Sequence, residues 1–143
     1  MIDRLLILGL VAVVIAVGWG LFRLWRVWMV RRLSADTPLA GLVPLGRPAV
    51  VAFSTPSCAE CRTRQAPALA RLSAALGDTV VVRSLSALDH PDLIDRIGIL
   101  TVPATVVLDY EGHVRSLNLG YASDERLSAQ LATCMPAAYH AAI

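Results

Sequence analysis

The 143-residue sequence has no internal repeat, no low-complexity tract and no basic stripe outside its first 32 residues. The missing repeat excludes solenoid and propeller architectures, and the missing stripe excludes a nucleic-acid-binding surface. Cysteine is scarce: Cys58, Cys61 and Cys134 are too few for a disulfide-stapled scaffold. Histidine is scarcer in pattern than in number. His90, His113 and His140 are scattered through loop-like stretches, with no paired metal-ligand spacing among them or with Cys134. No metal or other cofactor is therefore expected.

Charge is absent from one long run. Leu5 to Phe22 is 18 residues without a charged side chain, roughly 27 Å of helix at 1.5 Å per residue, close to the hydrocarbon thickness of a bilayer. Trp19, Trp25 and Trp28 interleave with Arg23, Arg26, Arg31 and Arg32 at its far end, the mixture that suits a headgroup boundary. Residues 5–30 are expected to meet the membrane as a single-pass anchor, of the kind found in a bacterial cytoplasmic membrane. The rival reading is a cleaved signal peptide, for which Ala16-Val17-Gly18 is a weak site. Its n-region has only Arg4, offset by Asp3, and the apolar run continues beyond that site.

Through Arg32 there are five arginines and one aspartate, net +4; the remainder has eight arginines and ten acids, net −2. Four of the five arginines follow the span, so the positive-inside rule turns the C-terminal part toward the cytoplasm. The opposite orientation stays open, because the contrast with the short N-terminal tail is modest.

The division expected is an anchor over 1–33, a linker over 34–47 with a short strand near Leu42-Val43, and a domain over 48–143. Ala49 to Phe53 is an apolar run suited to a strand buried on both faces. A helix is predicted over Cys58–Leu76, with Leu69, Leu72 and Leu76 on one face, a kink at Pro67 and a stop at Gly77. A strand over Thr79–Arg83 follows, then a helix opened by Asp89-His90-Pro91 and closed by Gly98. Ala104–Leu108 and Val114–Leu119 read as strands joined by the turn Asp109-Tyr110-Glu111-Gly112. Ser123 caps a last helix whose stripe is Leu127, Leu131 and Cys134, and Pro136 stops it. The order β-α-β-α-β-β-α predicts an α/β fold with a mixed sheet of about four strands and helices on both faces. Cys134 is expected to be a small apolar core residue.

The chemistry is expected at Cys58-Ala59-Glu60-Cys61, where the first strand gives way to a helix. Two cysteines at this spacing lie one helical turn apart and can close or reopen a small disulfide ring. Cys58 is expected to be the reactive one, since free N–H groups and the positive helix end favour its thiolate. The Glu60 carboxylate is expected to oppose that thiolate, with Ala59 completing the tuning dipeptide.

From Pro48 to Met135 the chain resembles the thioredoxin family. The shared features are the C-x-x-C after the first buried strand, Val102-Pro103 before the third, the hairpin, and Leu119-Gly120 before the final helix. The resemblance implies a cis peptide bond at Pro103 beside the dithiol, with the backbone of Val102 offered to an incoming peptide. It also implies dithiol–disulfide exchange, with protein disulfides and an electron donor as partners; the Glu60 carboxylate, by leaving the reduced thiolate less stabilised, is expected to make the protein more reducing, and so more a reductase than an oxidase. Three positions depart from the family. Ala52 stands where a buried aspartate is common, Ser57 where a tryptophan is, and Pro67 falls six rather than five positions past the second cysteine. A second class of function stays open: a redox-inactive tethered module that binds partner proteins through Val102-Pro103.

Overall fold

The computed structural model describes residues 2–33 and 37–134, with side chains over 7–28 and 37–134. Pro136 and His140 lie outside these residues. The chain divides into two compact units, Met1–Arg32 and Leu33–Ile143. The first is helix α1, Ile2–Leu33. Within it Ile7–Trp28, 22 residues, is long and apolar enough to cross a membrane. Among the described residues none of that stretch is buried. Arg23 lies over the Trp19 ring at 5.4 Å.

The second unit is built on a four-stranded sheet of β1 Ala49–Ser54, β2 Val81–Ser86, β3 Ala104–Leu108 and β4 Val114–Leu119, in the order β2-β1-β3-β4. β1 runs parallel to β2 and antiparallel to β3, and β3 pairs antiparallel with β4. The helices are α2 Ala66–Leu76, α3 Pro91–Ile97 and α4 Asp124–Ala132. This mixed sheet matches the architecture expected from the order of elements.

Alternation along the two central strands divides the core. Val50, Ala52 and Val107 join Leu69 and Leu72 of α2 and Leu127 and Leu131 of α4 in one buried cluster. Cys134 belongs to it too, at 6% exposure. On the other face Ala49, Val51, Phe53, Val106 and Leu108 are as deeply buried, which leaves α3 and residues 37–47 to cover them. In that stretch, expected as a linker, Leu39 and Val43 are buried. A small cavity between it and the sheet is lined by Leu39, Val43, Ala49 and Leu108. Gly112 takes a φ of +86°, a backbone conformation that favours glycine.

Two boundaries differ from expectation. β2 begins at Val81, not Thr79, because Gly77–Thr79 forms a 3₁₀ turn whose Thr79 hydroxyl donates to the Leu76 carbonyl at 2.6 Å. The strand then runs on to Ser86, its polar end held by the parallel ladder to Phe53 and Ser54. The continuous helix over Cys58–Leu76 is also revised. Cys61–Gln65 is a π-helical turn, in which the Ala66 N–H donates to the Cys61 carbonyl five residues back. Pro67 follows two residues past the π-turn, in helical backbone that runs on from it, and donates no N–H to the preceding turn. The extra residue between Cys61 and Pro67 is absorbed as a bulge instead of a sharper kink.

The α4 cap is as read: the Ser123 hydroxyl accepts from the Arg126 N–H at 3.3 Å. At the β3–β4 turn the buried Asp109 carboxylate accepts from the N–H groups of Glu111 and His113, each at 2.9 Å, and from Arg115 Nε at 2.7 Å. Burial pushes the Asp109 pKa up. The His113 N–H, Arg115 and the Glu111 N–H outweigh that and hold it below the usual carboxylate value.

Candidate active site at the Cys58–Cys61 turn

β1 ends at Ser54 and delivers the chain to a turn closed by the Cys58 N–H donating to the Thr55 carbonyl at 3.1 Å. Helical backbone starts at Ala59. Cys58 therefore stands just before the first turn, where N–H groups have no helical acceptor. One of them is aimed at it: the Cys61 N–H donates to Cys58 Sγ at 3.1 Å. Cys58 and Cys61 are joined as a disulfide, with their Cα atoms 5.3 Å apart. The two sulfur-bearing residues are not equivalent, for Cys58 is half-buried and Cys61 is 6% exposed.

The sheet places Val102 and Pro103 at the same end. Ala104 pairs with Phe53 across the β1–β3 ladder, so the residues just before β3 lie beside those just after β1. The Val102–Pro103 peptide bond is cis. The Pro103 carbonyl accepts from the Gly120 N–H at 2.8 Å, which brings the end of β4 into the same region.

Glu60 has a partner that the sequence does not reveal. Its exposed carboxylate is paired with Arg64 at 2.9 Å, one turn along, and the Arg64 guanidinium lies over the Tyr121 ring at 4.2 Å. An adjacent cation offsets the carboxylate's field, so Glu60 does not act on Cys58 as an isolated negative charge. Ala59, exposed, accepts the Thr63 hydroxyl at its carbonyl, at 2.9 Å. Arg62 donates to the Pro56 carbonyl.

Behind Cys61 a cavity of about 380 Å³ opens between β1, β2 and the start of α2. Ala52, Phe53, Leu69 and Leu85 form apolar wall, Ser84 and Ser86 polar wall, and Arg62 is the one charged residue lining it among those described. With Ala52 in that wall, no carboxylate among the described residues lines the cavity.

Gln65 is a site residue that sequence reading missed. It is 2% exposed, and both ends of its amide meet Ala122: Nε2 donates to the Ala122 carbonyl at 3.1 Å and Oε1 accepts the Ala122 N–H at 3.0 Å. The signal was the sixth-position proline, which marks one extra residue but not where it is housed.

Among the described residues, no group of three metal-ligating side chains includes Cys58 or Cys61. Among the described residues one group of three such ligands exists, Asp109, Glu111 and His113 in the β3–β4 turn. Its Asp109 oxygens are already occupied by two N–H groups and Arg115. Cys134 donates to the Gln130 carbonyl at 3.4 Å, and burial pushes its thiol pKa up.

No protein-family model matches the sequence, and no curated protein matches it. Solved structures do match by shape. An uncharacterized thioredoxin-like protein from Clostridium perfringens aligns with TM-score 0.59 and 21% identity, over 64% of this chain and 74% of that one. MTB dsbF, in mixed oxidized and reduced forms, aligns with TM-score 0.51 and 19% identity, over 64% and 83%. A malarial protein aligns with TM-score 0.56 and 14% identity, over 63% and 99%. At these identities the likeness is one of fold. The second unit has a thioredoxin-like fold with a C-x-x-C disulfide at its sheet end.

Proposed function

We propose that this thioredoxin-like chain is a membrane-tethered thiol:disulfide oxidoreductase working in the reductive direction on protein disulfides. The observation that carries the proposal is the N–H of Cys61 aimed at Cys58 Sγ. A donor in that position stabilises a thiolate more than a thiol, and so lowers the pKa of the more accessible cysteine.

In the reduced protein the Cys58 thiolate attacks one sulfur of a substrate disulfide. A Cys58–substrate S–S bond forms, the substrate bond breaks, and the other substrate sulfur leaves as a thiolate. Cys61 loses its proton to water through the cavity behind it, since Ala52 supplies no carboxylate there. The Cys61 thiolate then attacks Cys58 Sγ, and the second substrate sulfur departs with the electron pair. Two electrons have passed to the substrate, and the Cys58–Cys61 disulfide awaits an electron donor. The backbone at Val102-Pro103 holds the substrate strand by β-like hydrogen bonds, an arrangement supported by its place beside the end of β1.

The reductive direction rests on orientation. Arg23, Arg26, Arg31 and Arg32 follow the span, which favours a cytoplasmic domain, and that compartment keeps such pairs reduced. Glu60 does not set the direction, being offset by Arg64.

The test is Cys61→Ser in the full chain. Mixed disulfides should accumulate through Cys58 and vanish in the Cys58→Ser, Cys61→Ser double variant. Partner binding without any covalent adduct would replace this reading with that of a redox-inactive binding module.

A further inference from the structure

We propose that Gln65 is a positioning residue, which locks the turn bearing Cys61 to the backbone strip running from Ala122 to Pro103. The inference rests on the oxidoreductase reading above and deepens it.

Gln65 and Cys61 are the two ends of one π-turn, closed by the Ala66 N–H on the Cys61 carbonyl. A regular α-helix advances 100° per residue, so without the bulge every later side chain would be rotated by about that angle against the sheet. The bulge thus allows two requirements at once: Cys61 one turn from Cys58, and Gln65 aimed inward with Leu69 and Leu72 still on the core face. Once inward, its amide pairs with both backbone groups of a residue 57 positions away, a bridge like one rung of a sheet. Ala122 is fully buried in the loop before α4. Two residues earlier, the Gly120 N–H holds the Pro103 carbonyl. Two hydrogen-bonded contacts, joined by the two-residue backbone step from Ala122 to Gly120, therefore link the turn of the resolving cysteine to the strip that would align a substrate.

What this tether sets is where Cys61 Sγ stands when it must attack Cys58. It touches neither sulfur. Loss of the tether should slow the second step of exchange and spare the first.

The test uses the full chain in detergent with glutathione disulfide as probe. The Cys58 thiolate displaces one glutathione thiolate to form a mixed disulfide. Cys61 then displaces the second, closing the Cys58–Cys61 ring, so the protein dithiol is oxidised and the probe is reduced to two thiols. In Gln65→Leu, formation of the mixed disulfide should keep its native rate. Ring closure should slow by about tenfold, the effect of about one well-made hydrogen bond at the transition state. Gln65→Glu adds a readout that a purely structural role would not move. A protonated carboxyl can donate to the Ala122 carbonyl and accept from its N–H, whereas an ionised one cannot donate. The variant-to-native ratio of ring-closure rates should therefore fall as pH rises through the ionisation of the introduced carboxyl. If Gln65→Leu fails to fold, that ratio decides alone. Native ring-closure rates in Gln65→Leu, or a ratio flat with pH, overturn the positioning role. Absence of protein adducts in Cys61→Ser overturns only the enzymatic reading, because ring closure with glutathione needs no physiological substrate.

Discussion

The Glu60 carboxylate and the Arg64 guanidinium form a 2.9 Å ion pair one helical turn apart, and Tyr121 underlies the arginine at 4.2 Å. The acid nearest the attacking sulfur in sequence is thus held by a cation that is itself held by an aromatic ring. Both charged side chains are about half exposed, so solvent screens the pair and its influence on Cys58 is small but signed.

Arg64→Gln should raise the Cys58 pKa by less than about one unit, because Glu60 is then unopposed. Glu60→Gln should lower it by a similar amount. The pH dependence of Cys58 alkylation in the reduced protein measures both; equal values in the three proteins would show that neither charge reaches the sulfur.

Asp109 links stability to acid. Its folded pKa lies below the ordinary value of 3.8, so on acidification the unfolded chain binds a proton first. The stabilisation is complete above about pH 4 and is lost as pH falls through the depressed folded value. Asp109→Asn should be less stable at neutral pH and show a flatter decline of denaturation midpoint below about pH 4. A parallel decline in both proteins would contradict this account.

A polar trio, Thr105 and Asn118 buried and Gln130 half-buried, joins β3, β4 and α4. Asn118 donates to Thr105 Oγ1 at 3.2 Å and to Gln130 Oε1 at 2.8 Å, and accepts from Gln130 Nε2 at 2.9 Å. Gln130→Leu leaves the Asn118 amide short of two partners and should cost about 1–3 kcal/mol. Denaturant unfolding should show a lower midpoint with an unchanged m value, and the Cys58–Cys61 exchange rate should stay native.

Cys134 should be inert. At 6% exposure, with a thiol pKa raised by burial, it should alkylate far more slowly than Cys58 in the reduced native protein. Cys134→Ala should retain exchange activity and lose about 1 kcal/mol of stability. Loss of turnover in that variant would give this sulfur a redox role.

Orientation can be read on Cys58 itself. An impermeant thiol reagent added to intact, reductant-treated cells should leave Cys58 unlabelled, and should label it after the membrane is opened. Labelling of intact cells would place the domain outside and remove the reason for the reductive direction.

Much of the fold was legible because local rules and burial agree. Ala49 to Phe53 is apolar throughout and lies in the centre of the sheet. Leu69 and Leu72, then Leu127 and Leu131, carry a helical period that faces it. The second strand, expected over Thr79–Arg83, runs instead over Val81–Ser86, because β2 is an edge strand with one neighbour and the ladder to β1 holds Ser84 to Ser86 whatever those side chains prefer. The stretch 37–47 looked like a linker on its prolines and glycines. Two apolar residues, Leu39 and Val43, are enough to bury part of it.

The dithiol, its strand-to-helix setting and the long uncharged N-terminal run were determined by sequence alone, since each depends on neighbours a few residues away. Three things needed the tertiary structure: that Arg64 pairs with Glu60 over Tyr121, that an extra residue before Pro67 becomes a π-turn, and that Gln65 reaches Ala122. Whether a helix absorbs an insertion by kinking or by bulging depends on which side chains find partners once it is packed. The partner here stands 57 positions along the chain, beyond the reach of any local pattern.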